Sequence, residues 1–305
     1  METTSVDHYS DNIFRDSLFS VGHTPEIPEI RWNDGKGSYI ICGDGLTILE
    51  KLPDSFIQTV ITSPPYYGMR DYGIPGQIGA ERYLDDYIAH LVAVFREVRR
   101  TLTDDGTIWI NIGDTYTSGN RKTRDSDKKN PARKMDYRPP TPEGLKPKDL
   151  IGIPWRLALA LLEDGWYLRS DIIWHKPNCQ PESVKDRPTR SHEYVFLLSK
   201  NERYYYNHSV MKEPDSKGDG LRNLRTVWSI HTVPNAYDHS AIFPEGLIEP
   251  CVLGGSKEGN IVLDPFFGTG TVGIVSRRLG RCFLGIELNP DFINISLNRL
   301  SQQTL

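Results

Sequence analysis

The chain has 305 residues, 38% hydrophobic and 25% charged, which allows one large domain or two small ones and excludes a disordered chain. A formal net charge of −4 excludes a globally basic nucleic-acid coat, so any DNA or RNA contact rests on a local patch. No apolar run approaches the ~20 residues of a membrane span, and Cys42, Cys179, Cys251 and Cys282 form no CxxC pair, arguing for a reducing cytosol and against a zinc site or disulfide framework.

Residues 1–37 read as a loose leader, polar and acidic at its start, unlike a signal or transit peptide. SYIICGDG (38–45) reads as a buried strand ending in a turn, LTILEKLP as a short helix, and QTVITSPP (58–65) as a second strand. Leu84, Tyr87, Ile88, Leu91, Val94, Phe95 and Val98 recur at three-four spacing, which predicts a helix over 82–102. A third strand, TIWINIGD (107–114), follows the DDG turn. Residues 120–149 then hold ten Lys or Arg against five Asp or Glu, a net +5, with five prolines. That composition predicts a flexible surface loop. Beyond it, IPWRLALALLEDGWYL (153–168) reads as a helix, and SDIIWHKP (170–177) and EYVFLLSK (193–200) as strands. Residues 201–239 are irregular, polar and aromatic. The C-terminal part reads as a short helix (248–255), the strand NIVLDPF (260–266), a glycine turn and helix (268–280), the strand CFLGIELN (282–289) and a last helix. Strands alternating with helices predict an α/β fold with a mostly parallel sheet.

GTGTVG (268–273) matches GxGxxG between a strand and a helix, and Glu287 ends the next strand. Such a βαβ unit lets a ligand approach bare backbone, while the acidic residue binds ribose hydroxyls. A nicotinamide dinucleotide and S-adenosylmethionine both fit. Asp264 and Pro265 separate them: a carboxylate at the strand tip repels a pyrophosphate but attracts an ammonium and a sulfonium. Phe266 and Phe267 can lie near the positive sulfur. Electrostatics therefore favours S-adenosylmethionine. Little of the chain follows Gly270, so further strands of the unit must come from the N-terminal part, and the sheet is permuted.

TSPPYYG (62–68) first and DPFFGTG (264–270) last resembles the beta group of the DNA amino-methyltransferases, which methylate cytosine N4 or adenine N6. IIWHKPN (172–178), SHEYVFLLSKNERYYYN (191–207) and SAIFPEGLIEP (240–250) are similar to other segments of that family, and the likeness covers most of 38–301. It implies a catalytic domain over 38–305. Its fold would be α/β: a permuted Rossmann-like S-adenosylmethionine-dependent methyltransferase sheet with helices on both faces. It implies that Asp264, Phe266, Gly268 and Gly270 surround the methionine part of the cofactor, with Pro265 and Thr269 in the same turn. Glu287 would hold the ribose, Asp44 would lie near the adenine, and Phe243 and Pro244 would close from the other side. Double-stranded DNA is the implied substrate. A homodimer, a cognate restriction endonuclease, and the cytoplasm of a prokaryotic or phage-infected cell are further implications.

The catalytic candidates are Ser63, Pro64, Pro65 and Tyr66. An exocyclic amine is a poor nucleophile because its lone pair is delocalised into the ring. Hydrogen bonds to Ser63 Oγ and the Pro64 carbonyl would draw it toward a tetrahedral shape, and consecutive prolines hold those acceptors rigidly. Tyr66 offers a flat face for a base flipped out of the duplex. Family members with Ser at the first position mostly methylate cytosine N4 and those with Asp mostly adenine N6, so cytosine N4 is expected and adenine N6 is the alternative. An inactive nucleic-acid-binding fold is the reading from another class. Methyltransferases of RNA or of protein glutamine also use a Pro-Pro-Tyr motif, but usually after the glycine turn. For DNA contact the expectation is a basic loop at about 116–150, a target-recognition region at about 201–239, and Arg187, Arg190, Arg222 and Arg225 as candidates for bases or phosphates.

Overall fold

The computed structural model describes residues 29–71, 73–119, 121, 123, 137–215, 218–233 and 243–302. The N-terminal half carries strands β1 (Glu29–Asn33), β2 (Tyr39–Cys42), β3 (Ile57–Thr62) and β4 (Leu102–Ile112), with helices α1 (Gly45–Leu49) and α2 (Leu84–Thr101). Helix α3 (Ile153–Glu163) precedes β5 (Tyr167–His175), β6 (His192–Ser199) and three short strands, β7 (Lys212–Pro214), β8 (Leu221–Asn223) and β9 (Val227–Ser229). The C-terminal part alternates α4 (Glu245–Gly255), β10 (Ile261–Asp264), α5 (Thr271–Arg278), β11 (Cys282–Glu287) and α6 (Pro290–Gln302).

Nine of the strands form one sheet in the order β1-β2-β11-β10-β3-β4-β6-β5-β9. The five from β2 to β4 are parallel, and β6 runs antiparallel to both β4 and β5. The last two strands of the chain thus insert between β2 and β3. This is the permutation expected from the sequence.

Alternation along the central strands divides the core. Val60, Ile108, Ile110 and Leu263 face the cluster that includes Leu49, Leu91, Phe95 and Leu157, so α1, α2 and α3 cover one face. Ile61, Trp109 and Val262 face Ile248, Val252, Val272 and Val275 of α4 and α5. Ile40 and Phe283 pack with Ile274, Ile293 and Leu300 of α5 and α6 on that second side. Strands covered on both faces read as near-continuous apolar runs. In α2 the stripe at Leu84, Tyr87, Leu91, Val94, Phe95 and Val98 is buried, with Asp85 and Asp86 in its first turn and Arg99 and Arg100 in its last. Those charges oppose the helix dipole at both ends.

Several boundaries differ from the sequence expectation. The DDG expected as a turn lies within β4, which begins at Leu102, and α3 ends at Glu163, with Tyr167 and Leu168 already in β5. The leader expected over 1–37 narrows, because Glu29–Asn33 pairs antiparallel with β2 as the sheet edge; residues before Glu29 lie outside those described. The irregular stretch at 201–239 contains the β7–β8 hairpin and β9, which extends the main sheet beside β5. No helix among the described residues is long and apolar enough to cross a membrane.

Candidate active site

The parallel strands deliver their carboxyl ends to one rim, where open α/β sheets bind ligands. A cleft of about 1080 Å³ opens there, bordered by Gly43–Gly45, Ser63–Tyr66, Gly113–Thr117, Pro265–Thr269 and Glu287–Asn289. The two sequence motifs meet at this rim because β3 and β10 are parallel neighbours, Val60 opposite Leu263. Thr62 Oγ1 donates to Asp264 Oδ1 at 2.7 Å, and the Phe266 amide donates to the same oxygen at 3.1 Å.

Asp264 is 1% exposed. Burial, with Glu287 nearby, pushes its carboxyl up to about 7, against the pull of the Thr62 and Phe266 hydrogen bonds. Glu287 receives the Gly268 amide at 2.6 Å and the Asn289 amide at 2.8 Å. Burial raises its pKa too, opposed by these main-chain donors. Two desolvated carboxylates at one rim form a pocket that gains from a cationic ligand.

Gly268 and Gly270 have φ of +52° and +82°, a left-handed backbone that favours glycine. A Cβ on Gly268 would meet nothing nearer than 3.9 Å, so bare backbone faces open space, whereas one on Gly270 would lie 2.8 Å from Ser296 Cβ. Arg299 on α6 steadies the turn: its Nη1 donates to the Thr269 carbonyl at 2.7 Å and to the Thr269 and Thr271 hydroxyls at 3.0 Å. These features fit S-adenosylmethionine: carboxylates for its cations, and a glycine turn open to close approach.

The expected cofactor residues divide. Asp44, Phe243, Pro265, Phe266, Gly268, Thr269 and Glu287 border the cleft. Asp44 also caps α1 through Thr47 N at 2.9 Å. Asp264, Gly270 and Pro244 lie behind the surface, buried. Pro244 is the N-cap of α4, next to Phe243 at the cleft. Of the two phenylalanines, Phe266 is half-buried. Phe267 is turned into the core and stacked on Phe283 at 5.6 Å.

Ser63, Pro64, Pro65 and Tyr66 all border the cleft. The Tyr87 hydroxyl donates to the Pro65 carbonyl at 2.8 Å. Among the described residues no donor reaches the Pro64 carbonyl, which leaves it open to an incoming N–H. Tyr67 turns away and is buried, packed on Tyr87 at 5.3 Å with its hydroxyl donating to the Arg82 carbonyl at 3.3 Å. The Tyr66 hydroxyl donates to Glu193 Oε2 at 2.8 Å. Glu193 and its partners Asn111 and Lys176 were not singled out from sequence, although two of the three sit in the segments IIWHKPN and SHEYVFLLSK.

The basic loop expected at about 116–150 falls partly outside the described residues, which omit 120, 122 and 124–136. Its base is pinned: Tyr116 bridges Leu150, and the Thr117 amide donates to the Asp149 carbonyl at 2.9 Å. Arg187 and Arg190 border the cleft with Arg121 and Arg138. Arg187 stacks over Tyr116 at 3.9 Å. Arg187 also pairs with Glu182 at 2.5 Å and Arg190 with Asp114 at 3.7 Å. Arg222 and Arg225 pair with Glu213 at 2.8 and 2.5 Å and are not among the cleft-lining residues.

The family model for DNA methylases matches residues 57–298. The chain is 59% identical over 264 residues to the type II methyltransferase M.Cfr9I of Citrobacter freundii, covering 87% of this chain and 88% of that one. It is 60% identical over 263 residues to M.SmaI of Serratia marcescens, covering 86% and 90%. Among solved structures, the PvuII DNA methyltransferase (cytosine-N4-specific) shares the fold at TM-score 0.64 and 20% identity, covering 86% of each chain. A DNA modification methylase of Thermus thermophilus, TTHA0409, solved with S-adenosyl-L-methionine and titled as putative in that role, matches at TM-score 0.58 and 25% identity, covering 86% and 94%. With its two motifs joined at one cleft, this chain belongs to the DNA methylase family and takes S-adenosylmethionine as its methyl donor.

Proposed function

We propose that the protein methylates the exocyclic N4 amine of cytosine in double-stranded DNA. The observation that carries this reading is the 2.7 Å bond from Thr62 to Asp264, which couples the residue before Ser63 to the carboxylate before the glycine turn. Bound S-adenosylmethionine supplies an electrophilic methyl group on a sulfonium. Pro265, Phe266, Gly268, Thr269 and Glu287 on the cleft wall would hold it, with Asp264 and Gly270 buried just behind them, Asp44 near the adenine and Phe243 on the other side.

Ser63 Oγ and the Pro64 carbonyl accept the two N–H groups of the amine, which frees the lone pair for in-line attack. Proline fixes φ near about −65° and removes competing donors, so the acceptors need no reorganisation. Tyr66 stacks on the extruded base and offsets part of the cost of leaving the duplex. A serine hydroxyl is a weak base, so the proton leaves to water after transfer, when the methylated nitrogen is a strong acid. Arg121, Arg138, Arg187 and Arg190 on the cleft wall suit phosphate contacts, and the hairpin region at about 201–239 suits target recognition. A restriction endonuclease of matching specificity is the proposed partner.

Two things support cytosine over adenine: Ser63 stands where adenine-directed members of the family mostly carry Asp, and the PvuII enzyme of the same fold is named cytosine-N4-specific. Mass spectrometry of nucleosides from methylation-deficient cells expressing the protein tests it. N4-methylcytosine is expected. N6-methyladenine alone moves the reading to adenine, and neither nucleoside sinks it.

A further inference from the structure

We propose that Glu193 is the positioning residue for Tyr66: it fixes the tilt of the ring on which the target base stacks, and Lys176 holds Glu193 in place. This rests on the reading of Tyr66 as the stacking face.

Three donors converge on the Glu193 carboxylate. The Tyr66 hydroxyl reaches Oε2 at 2.8 Å, Asn111 Nδ2 reaches the same oxygen at 3.2 Å, and Lys176 Nζ pairs with Oε1. The four residues come from four places in the sheet: Tyr66 beyond β3, Asn111 in β4, Lys176 just after β5 and Glu193 at the start of β6. Asn111 is itself oriented, since its Nδ2 also donates to the Tyr194 carbonyl at 3.2 Å. Lys176 is held from a second side, its ammonium 4.1 Å from the Trp174 ring centroid. All of these side chains border the cleft.

The pair is an expensive way to hold a fold together. Lys176 and Glu193 are 17% and 16% exposed, and an ion pair so far from water gains little net stability after desolvation. Its geometry instead serves the ring. The phenol is a reliable donor, because burial and the adjacent carboxylate push its pKa well above the ordinary value, against an opposing hydrogen bond with the Ser63 side chain, and keep it protonated. At the ring's edge a glycine clears the way: a Cβ on Gly113 would lie 2.8 Å from Tyr66 Cε2 and 3.3 Å from the Glu193 side chain. Tyr87 anchors the other end through the Pro65 carbonyl at 2.8 Å. A ring clamped at both ends loses no rotational freedom when a base arrives, which is where preorganisation gains.

The test is single-turnover methylation of unmethylated plasmid DNA with tritiated S-adenosylmethionine, beside calorimetric cofactor affinity and a thermal melt. Tyr66→Phe keeps the ring and removes only the hydroxyl; it and Glu193→Ala are each expected to slow transfer about tenfold, with cofactor affinity within about twofold. The double variant should be no slower than the worse single one, because both break one link. Glu193→Gln, which retains an acceptor oxygen, should recover most of the rate, and Gly113→Ala should lose it. Should Glu193→Ala fail to fold, Tyr66→Phe carries the test alone. A wild-type rate in Tyr66→Phe, multiplying losses in the double variant, or a rate loss matched by lost cofactor affinity overturns the inference. Failure of the wild-type protein to methylate any duplex would overturn the methyltransferase reading together with it; an unaffected Tyr66→Phe beside an active wild type overturns this inference alone.

Discussion

Thr62 and Asp264 lie 202 residues apart in the chain and share a hydrogen bond of 2.7 Å at the rim of the sheet. This contact joins the strand that leads into Ser-Pro-Pro-Tyr to the strand that leads into the glycine turn. Replacing the donor by its apolar isostere, Thr62→Val, should raise the Kd for S-adenosylmethionine about tenfold, the cost of losing one hydrogen bond to a charged group. Isothermal titration calorimetry at about pH 8 measures it. An unchanged Kd would count against the carboxylate's part in cofactor binding.

With Asp264 beside the cofactor as proposed, cofactor binding is expected to be pH-dependent near neutrality. The carboxyl's folded pKa of about 7 lies above the ~3.9 of a free aspartate. The folded, cofactor-free protein therefore holds this proton more tightly than the unfolded chain. The resulting stability is complete below about pH 4 and is lost as pH rises through 7. Cation binding runs the other way, because the ionised carboxylate attracts the ligand. Cofactor affinity should rise from about pH 6 to pH 8, and binding near pH 7 should release a proton. Calorimetry in two buffers of different ionisation enthalpy reads the proton directly.

Gly270→Ala confronts both a left-handed φ of +82° and a Cβ placed 2.8 Å from Ser296 Cβ on α6. The expected destabilisation is about 1–3 kcal/mol, seen in a denaturant melt, and cofactor affinity should fall with it as the turn shifts. A variant with unchanged stability and affinity would show that the turn relaxes freely.

Ser63→Ala removes one of the two proposed acceptors and leaves the residues proposed to bind the cofactor unchanged. Single-turnover methyl transfer should slow about 10²-fold, the usual loss when one preorganised partner of the reacting group is deleted, while cofactor affinity stays unchanged. Full activity in this variant would remove the hydroxyl from the mechanism.

Much of the architecture was legible without coordinates. The stripe from Leu84 to Val98 is buried as its spacing demands. The glycine turn does open α5 after β10, and β10 and β11 join N-terminal strands in the permuted order expected. Other parts were not legible for identifiable reasons. The edge strand Glu29–Asn33 carries little apolar alternation and exists through its pairing with β2. The partner of Arg222 was not legible either: the β7–β8 register sets it directly opposite Glu213, where unlike charges on neighbouring strands attract.

The sequence by itself determined the class of fold, the order of its motifs and the backbone shape of the two turns, because strand and helix periodicity, proline rigidity and glycine's access to positive φ act over a few residues. Only the tertiary structure decided which side chains serve those turns. Glu193 meets Tyr66 across 127 residues, and Arg299 reaches Thr269 from the last helix. Such partnerships depend on sheet order and register. These follow from burying both faces of the whole sheet at once, and no local stretch of residues records them.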